Sequence, residues 1–277
     1  MAIRPLTCFG LGVLLVAVAC GPATPAIHSP DPLSGTYILR GGGGALDTVT
    51  ALTTAFTNEH PGVNWQGFED VGSDASVKLV VSGEGDLGFI SRELRPAEVG
   101  TVLTVPIGRA GTALAVNASN PVRGLSKEQV AQIYTGEIAD WNAVGGVAGK
   151  IRLFIRDPGS AVRSAFESYF FGATKPTYAK GLVEVTNADQ TIIALGGFKE
   201  SIGMLSMTAQ GFGATSIHML AIDGVPATRA TVANGTYKLL RPLYLVYNPD
   251  PAKVKPAIKA FLDWVQSPKG QQLLAGL

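Results

Sequence analysis

Four segments of the chain carry residue types suited to gripping a small anion. Gly41, Gly42, Gly43 and Gly44 run into Ala45, just before a helical pattern. Successive glycine N–H groups can cup an anion, and a helix start adds partial positive charge. Gly72-Ser73 stands at a second helix start, and Ser91-Arg92 closes a short apolar run. The fourth segment reads Arg156-Asp157-Pro158-Gly159-Ser160-Ala161-Val162-Arg163. There an arginine ends a strand, a serine can cap a helix, and a second arginine follows in its first turn. Each segment alone is an ordinary turn, cap or surface charge. Together they describe an oxyanion site. Hydrogen bonds to a charged group are worth about 1.5–3 kcal/mol each. Roughly six to eight such donors reach micromolar binding once the association cost is subtracted.

Catalysis has no comparable set. The three histidines, His28, His60 and His218, lie far apart without ligand spacing. No G-x-S-x-G elbow, H-E-x-x-H, Walker A or dinucleotide fingerprint occurs. The expectation is a binding protein with no catalytic residue, no metal and no cofactor.

The elements that must carry these loops alternate. Residues 37–39 read as a strand. Leu46, Val49, Thr53 and Phe56 recur at helical spacing until Pro61-Gly62 stops them. Strands follow at 63–66, 87–90, 101–105, 112–116, 151–155, 202–205 and 243–246. Helices are expected at 77–81, after the capping box Ser126-Lys127-Glu128-Gln129, along Val162, Phe166, Tyr169 and Phe170, and over 255–266. Interleaved strands and helices predict an α/β fold. In such folds ligands sit beyond the carboxyl ends of strands, where these loops fall.

Composition narrows the partners. The chain has 277 residues, 46% hydrophobic and 16% charged, with a net charge of +1. It is too apolar for disorder and has no basic field for nucleic acid. Its two cysteines, Cys8 and Cys20, exclude a disulfide framework. Residues 1–19 read as a signal segment, with Arg4 ahead of an apolar run too short to span a bilayer. The run ends Ala17-Val18-Ala19-Cys20-Gly21, which resembles a bacterial lipobox with Cys20 as the lipidated residue. An ordinary secretory peptide cut near Ala19 is the alternative. Cleavage removes Arg4 and no acid, so Lys+Arg falls from 22 to 21 against 21 Asp+Glu, and the mature charge is zero. Residues 20–33, with four prolines in 21–32, form a stiff tether.

Several blocks carry a family resemblance. Leu125-Ser126-Lys127-Glu128-Gln129-Val130, Ile133-Tyr134-Thr135-Gly136-Glu137-Ile138, Asp140-Trp141-Asn142 and Gly145-Gly146 resemble the phosphate-binding proteins of phosphate-specific ABC transporters. So do Gly235-Thr236-Tyr237 and Arg241-Pro242-Leu243-Tyr244-Leu245, and the likeness runs from about 37 to 274. The resemblance implies a type II periplasmic binding protein fold. Two α/β lobes, 34–107 plus 243–277 and 108–242, would be joined by two hinge crossovers. It also implies a monomeric, extracytoplasmic lipoprotein, in the periplasm or on the outer surface. Such a protein captures inorganic phosphate and delivers it to the permease subunits of an ABC importer. A receptor for another oxyanion or small anionic solute, or a sensory or surface protein with a degenerate site, is the alternative.

Carried over by position, the ligand-binding set is Gly44, Ala45, Ser73, Ser91, Arg92, Arg156, Ser160, Ala161, Val162 and Arg163. Three positions depart from the family. Gly44 lacks a first-loop hydroxyl, and Ala161-Val162 replace Gly-Thr. Arg92 stands where one branch has the carboxylate that accepts a phosphate proton, which leaves Asp74 and Asp157 as candidates for that role.

Overall fold

The computed structural model describes residues 31–277. The signal segment, Cys20 and the tether up to residue 30 lie outside the described residues. The chain begins with β1 (Gly35–Gly41), α1 (Leu46–Glu59), β2 (Val63–Asp70), α2 (Ser73–Ser82), β3 (Leu87–Ile90) and β4 (Leu103–Asn117). It continues with β5 (Gly124–Leu125), α3 (Lys127–Thr135), β6 (Arg152–Arg156), α4 (Ala161–Phe171), β7 (Val183–Val185) and α5 (Ala188–Gly197). Then come β8 (Ser201–Ser206), α6 (Ala209–Gly213), β9 (Ile217–Met219), β10 (Ala221–Ile222) and α7 (Arg229–Ala233). It closes with β11 (Leu240–Tyr247), α8 (Pro256–Gln266) and α9 (Pro268–Ala275).

Local chemistry explains these elements. In α1 the apolar stripe of Val49, Leu52 and Phe56 is buried, and the helix stops just before Pro61. Ser126 and Gln129 form the reciprocal capping box that starts α3. Pro256 opens α8, whose missing N–H costs nothing at a helix start. That helix lays Phe261 edge-on to Phe56, ring centres 5.3 Å apart, and 5.0 Å from Trp65.

The strands run in the order β2-β1-β3-β11-β4-β8-β6-β7, with β9 also on β4. Here the sequence reading needs a correction. Two strands were expected at 101–105 and 112–116, and the structure has one, β4. Pro106, Gly108 and Gly111 look like punctuation. Pro106 and Gly108 flank a bulge opposite Leu243 and Tyr244, and Gly111 is the last residue paired with β11 before β4 changes partner. Residues 103–111 pair with β11, and residues 112–116 pair with β8. The register shift between Leu243 and Tyr244 skips Ile107, so a bulge absorbs the irregularity.

Burial divides the strands between two main cores. One collects Leu39, Leu52, Phe56, Leu87, Phe89, Leu245 and Phe261. The other collects Leu114, Ile133, Tyr134, Trp141, Ile155, Phe166 and Met204. The chain passes between them in β4, between Ala110 and Ala113, and again between Leu239 and Leu243. This is a two-lobe α/β fold with two crossover strands.

Candidate anion-binding site

A small, tightly lined cavity lies where the strand ends of the two cores meet. From the first core come Gly42, Gly43 and Gly44 after β1, Asp70 at the end of β2, Gly72 and Ser73 at the start of α2, and Ser91 after β3. From the second come Arg156 at the end of β6, Ser160, Ala161 and Val162 at the start of α4, and Ser206 at the end of β8. Arg241, in β11, completes it. Of the residues read from sequence, Gly44, Ser73, Ser91, Arg156, Ser160, Ala161 and Val162 meet here. Ala45, Arg92 and Arg163 do not.

Each absence has a physical reason. Ala45 is fully buried and gives its N–H to the Gly42 carbonyl. Arg92 turns away to grip Glu98 through both terminal nitrogens, at 2.7 and 2.8 Å, and Asp74 at 2.7 Å. Burial opposes its charge, but Glu98 and Asp74 outweigh burial and hold its pKa above the usual arginine value. Arg163 pairs with Glu167 at 2.8 Å and donates to the Arg156 carbonyl at 3.2 Å. It braces the strand end that presents Arg156.

The glycine run also works differently from a backbone cup. Gly42 donates its N–H to the Phe89 carbonyl and Gly43 to Asp70 Oδ1. The glycines are needed because neighbours crowd them. A Cβ on Gly42 would meet Ser73 Oγ at 2.7 Å. One on Gly44 would meet the Arg241 guanidinium at 2.6 Å. The first N–H groups of α2 and α4, at Ser73 and Ala161, have no intrahelical acceptor and remain for a ligand.

The four serine hydroxyls share one design. Ser73 Oγ accepts from the Ser91 N–H and Ser160 Oγ from the Val162 N–H. Ser91 Oγ and Ser206 Oγ each accept from Arg241, both at 2.6 Å. A hydroxyl that already accepts a bond has its own hydrogen left to give. The cavity therefore presents hydroxyl donors and two arginines. Burial first, and the charge of Arg156 second, pull the Arg241 guanidinium well below the usual arginine range. Both arginines keep a buried Nε without a partner among the described residues.

One lining carboxylate stands against these donors, and it is neither Asp74 nor Asp157. Asp74 is taken by Arg92 and Arg95. Asp157 accepts from Gly159 N–H and lies 3.6 Å from Arg156. Asp70 is the lining acid. Its Oδ1 accepts from Gly43 and Gly72, and its Oδ2 lies 4.0 Å from Arg156 Nη2 across the cleft. Asp70, Ser206 and Arg241 were missed from sequence. The available signal was a lone arginine inside the apolar run 239–246.

Two α/β lobes joined by two strands, with a donor-lined cavity between them, are the architecture of a two-lobe binding protein. Residues 29–269 match the PBP superfamily domain, and the chain belongs to that superfamily. It is 27% identical over 237 residues to the phosphate-binding protein PstS of Bacillus subtilis, covering 82% of this chain and 77% of that protein. It is also similar to a solved structure from Clostridium perfringens, described as a phosphate ABC transporter substrate-binding protein with bound phosphate. There the TM-score is 0.77 at 27% identity, over 87% of this chain and 97% of the other. An ABC-type phosphate transport receptor from Vibrio cholerae matches with a TM-score of 0.64 at 28% identity, over the same shares.

Proposed function

We propose that this protein binds inorganic phosphate between its two lobes and passes it to the permease of an ABC importer. The observation that carries the reading is the polarity of the cavity: four hydroxyls set as donors, two arginines, and one carboxylate. Hydrogen phosphate offers many acceptor lone pairs and one proton. Asp70 takes the proton while the donors take the oxygens. Sulfate has no proton, so an oxygen of it would face Asp70 lone pair to lone pair, which is how the site rejects it. The lobes are 34–107 with 243–277, and 108–242, and they close on the ligand. The names of the relatives support transport over enzymatic turnover. Anchoring through a lipidated Cys20, on a monomer outside the cytoplasm, completes the reading, and no helix among the described residues is long and apolar enough to cross a membrane.

Calorimetric titration with phosphate, sulfate and arsenate tests this. Phosphate and arsenate should bind and sulfate should not. Absence of heat with millimolar phosphate sinks the proposal. Arg156→Ala should abolish binding. Arg123→Ala should leave it intact, because Arg123 is spent on exposed contacts with His218.

A further inference from the structure

Arg241 is 2% exposed, and its bonded side-chain partners are two neutral hydroxyls. It forms no ion pair among the described residues. A buried cation without a counter-charge is costly, and here a second cation, Arg156, lines the same cavity. The contrast with Arg92, also buried but held by two carboxylates, is direct. Asp70 on the cavity wall favours the Arg241 charge only from a distance and lies 4.0 Å from the competing Arg156, so an anion in the cavity would supply the direct counter-charge that Arg241 lacks.

Its place in the fold adds a second point. Arg241 pairs with Ala110 of β4, where both crossover strands leave one core for the other. Its two terminal nitrogens divide between the lobes. Nη1 reaches Ser91 at the end of β3, and Nη2 reaches Ser206 at the end of β8. Each hydroxyl, one in each lobe, is held as a donor by its own bond from the hinge arginine.

The proton count adds a third. The charged groups facing Arg241 are Arg156 at the end of β6 and Asp70 at the end of β2, with Asp157 beside Arg156. Asp70 can accept one ligand proton. A second ligand proton would point at a donor.

We propose that Arg241 is a positioning residue that makes ligand charge the condition for lobe closure. From the hinge it turns one serine of each lobe toward the ligand, and the closed site selects a tetrahedral dianion bearing a single proton over its doubly protonated monoanion. This rests on the phosphate reading above.

The test is phosphate titration of wild type, Arg241→Gln and Ser206→Ala at about pH 8 and about pH 5.5, since a phosphate's second ionisation falls between them. Thermal melts and small-angle scattering with and without ligand accompany it. Wild type should bind more tightly at the higher pH and contract on binding. Arg241→Gln should bind roughly 10–100-fold more weakly, from the loss of charge-assisted bonds. It should also lose the pH preference and fail to contract, while its ligand-free melting point holds or rises. Wild-type affinity, pH profile and contraction in a folded Arg241→Gln would overturn the proposal. If that variant does not fold, Ser206→Ala decides: a smaller loss in the same direction supports the proposal, and unchanged binding overturns it. The wild-type arm separates the two readings. Sulfate binding in place of phosphate, with the same dependence on Arg241, would keep the hinge arginine and overturn phosphate. Binding of neither anion overturns both.

Discussion

Restoring the hydroxyl that the first loop lacks should weaken phosphate binding. The perturbation is Gly44→Ser. By position alone it repairs a departure and adds a donor, worth about 1 kcal/mol. The structure points the other way. A Cβ at 44 would stand 2.6 Å from Arg241 Nη2, 2.8 Å from Nη1 and 3.0 Å from Cζ. The guanidinium is buried and must retreat by roughly 1 Å to restore van der Waals contact. Its bonds to Ser91 and Ser206, now 2.6 Å each, would stretch to about 3.6 Å and cease to be hydrogen bonds. Two charge-assisted bonds at about 1.5–3 kcal/mol each set the gross loss. Less the added donor of about 1 kcal/mol, the net is about 2–5 kcal/mol, or roughly 30- to 4,000-fold in Kd. Calorimetry on wild type, Gly44→Ser, Arg241→Gln and the double variant measures it. The two changes act on one contact, so their effects should be strongly non-additive. Gly44→Ser binding phosphate as tightly as wild type, or more tightly, would refute the reasoning.

Three further outcomes follow from the geometry. Asp70→Asn keeps the Oδ1 that accepts from Gly43 and Gly72 but replaces the other oxygen with a donor, so the preference for phosphate over sulfate should fall by roughly 10–100-fold in competition titrations. Burial raises the Glu98 pKa, but hydrogen bonds from Arg92 and Arg95 outweigh it, so the folded value lies below the ordinary one. The stabilisation is then full above the unfolded pKa of about 4.3 and fades as pH falls through the lower folded value. The melting-point gap between wild type and Glu98→Gln, about 5 °C near neutrality, should narrow as the pH falls below the ordinary carboxylate range, and a constant gap would exclude the mechanism. Gly41→Ala would place Cβ 2.0 Å from the Phe89 carbonyl oxygen of the paired β3 strand, and should cost about 3 kcal/mol in denaturant unfolding.

The fold was legible because its signals are local. Helical spacing at Leu46, Val49 and Phe56, the capping box at Ser126 and the apolar face of 255–266 each depend on a few neighbouring residues. The continuity of β4 was not legible. It depends on which strand lies alongside, and Gly108 and Gly111 mark only where a break is permitted. The crossover that organises both lobes was therefore divided in two by a reading of its own composition.

The site divides along the same line. Loop composition located Ser73, Ser91, Arg156 and Ser160, because an anion site needs such residues at strand ends and helix starts. Composition gives the charge of an arginine but not its direction. Arg92 and Arg163 looked as apt as Arg156, yet both are held by carboxylates, and Arg92 turns to Glu98, six residues on. Arg241 meets Ser91 across a separation of 150 residues, so no spacing rule connects them. The sequence did hold the other half of that relation. A glycine where the family has a hydroxyl reads as a loss when the loop is considered alone. With a buried arginine 2.6 Å from where its Cβ would be, the same glycine is the condition for a different donor. The two positions are one structural choice. In this chain a side chain at position 44 and the present seat of the Arg241 guanidinium exclude each other.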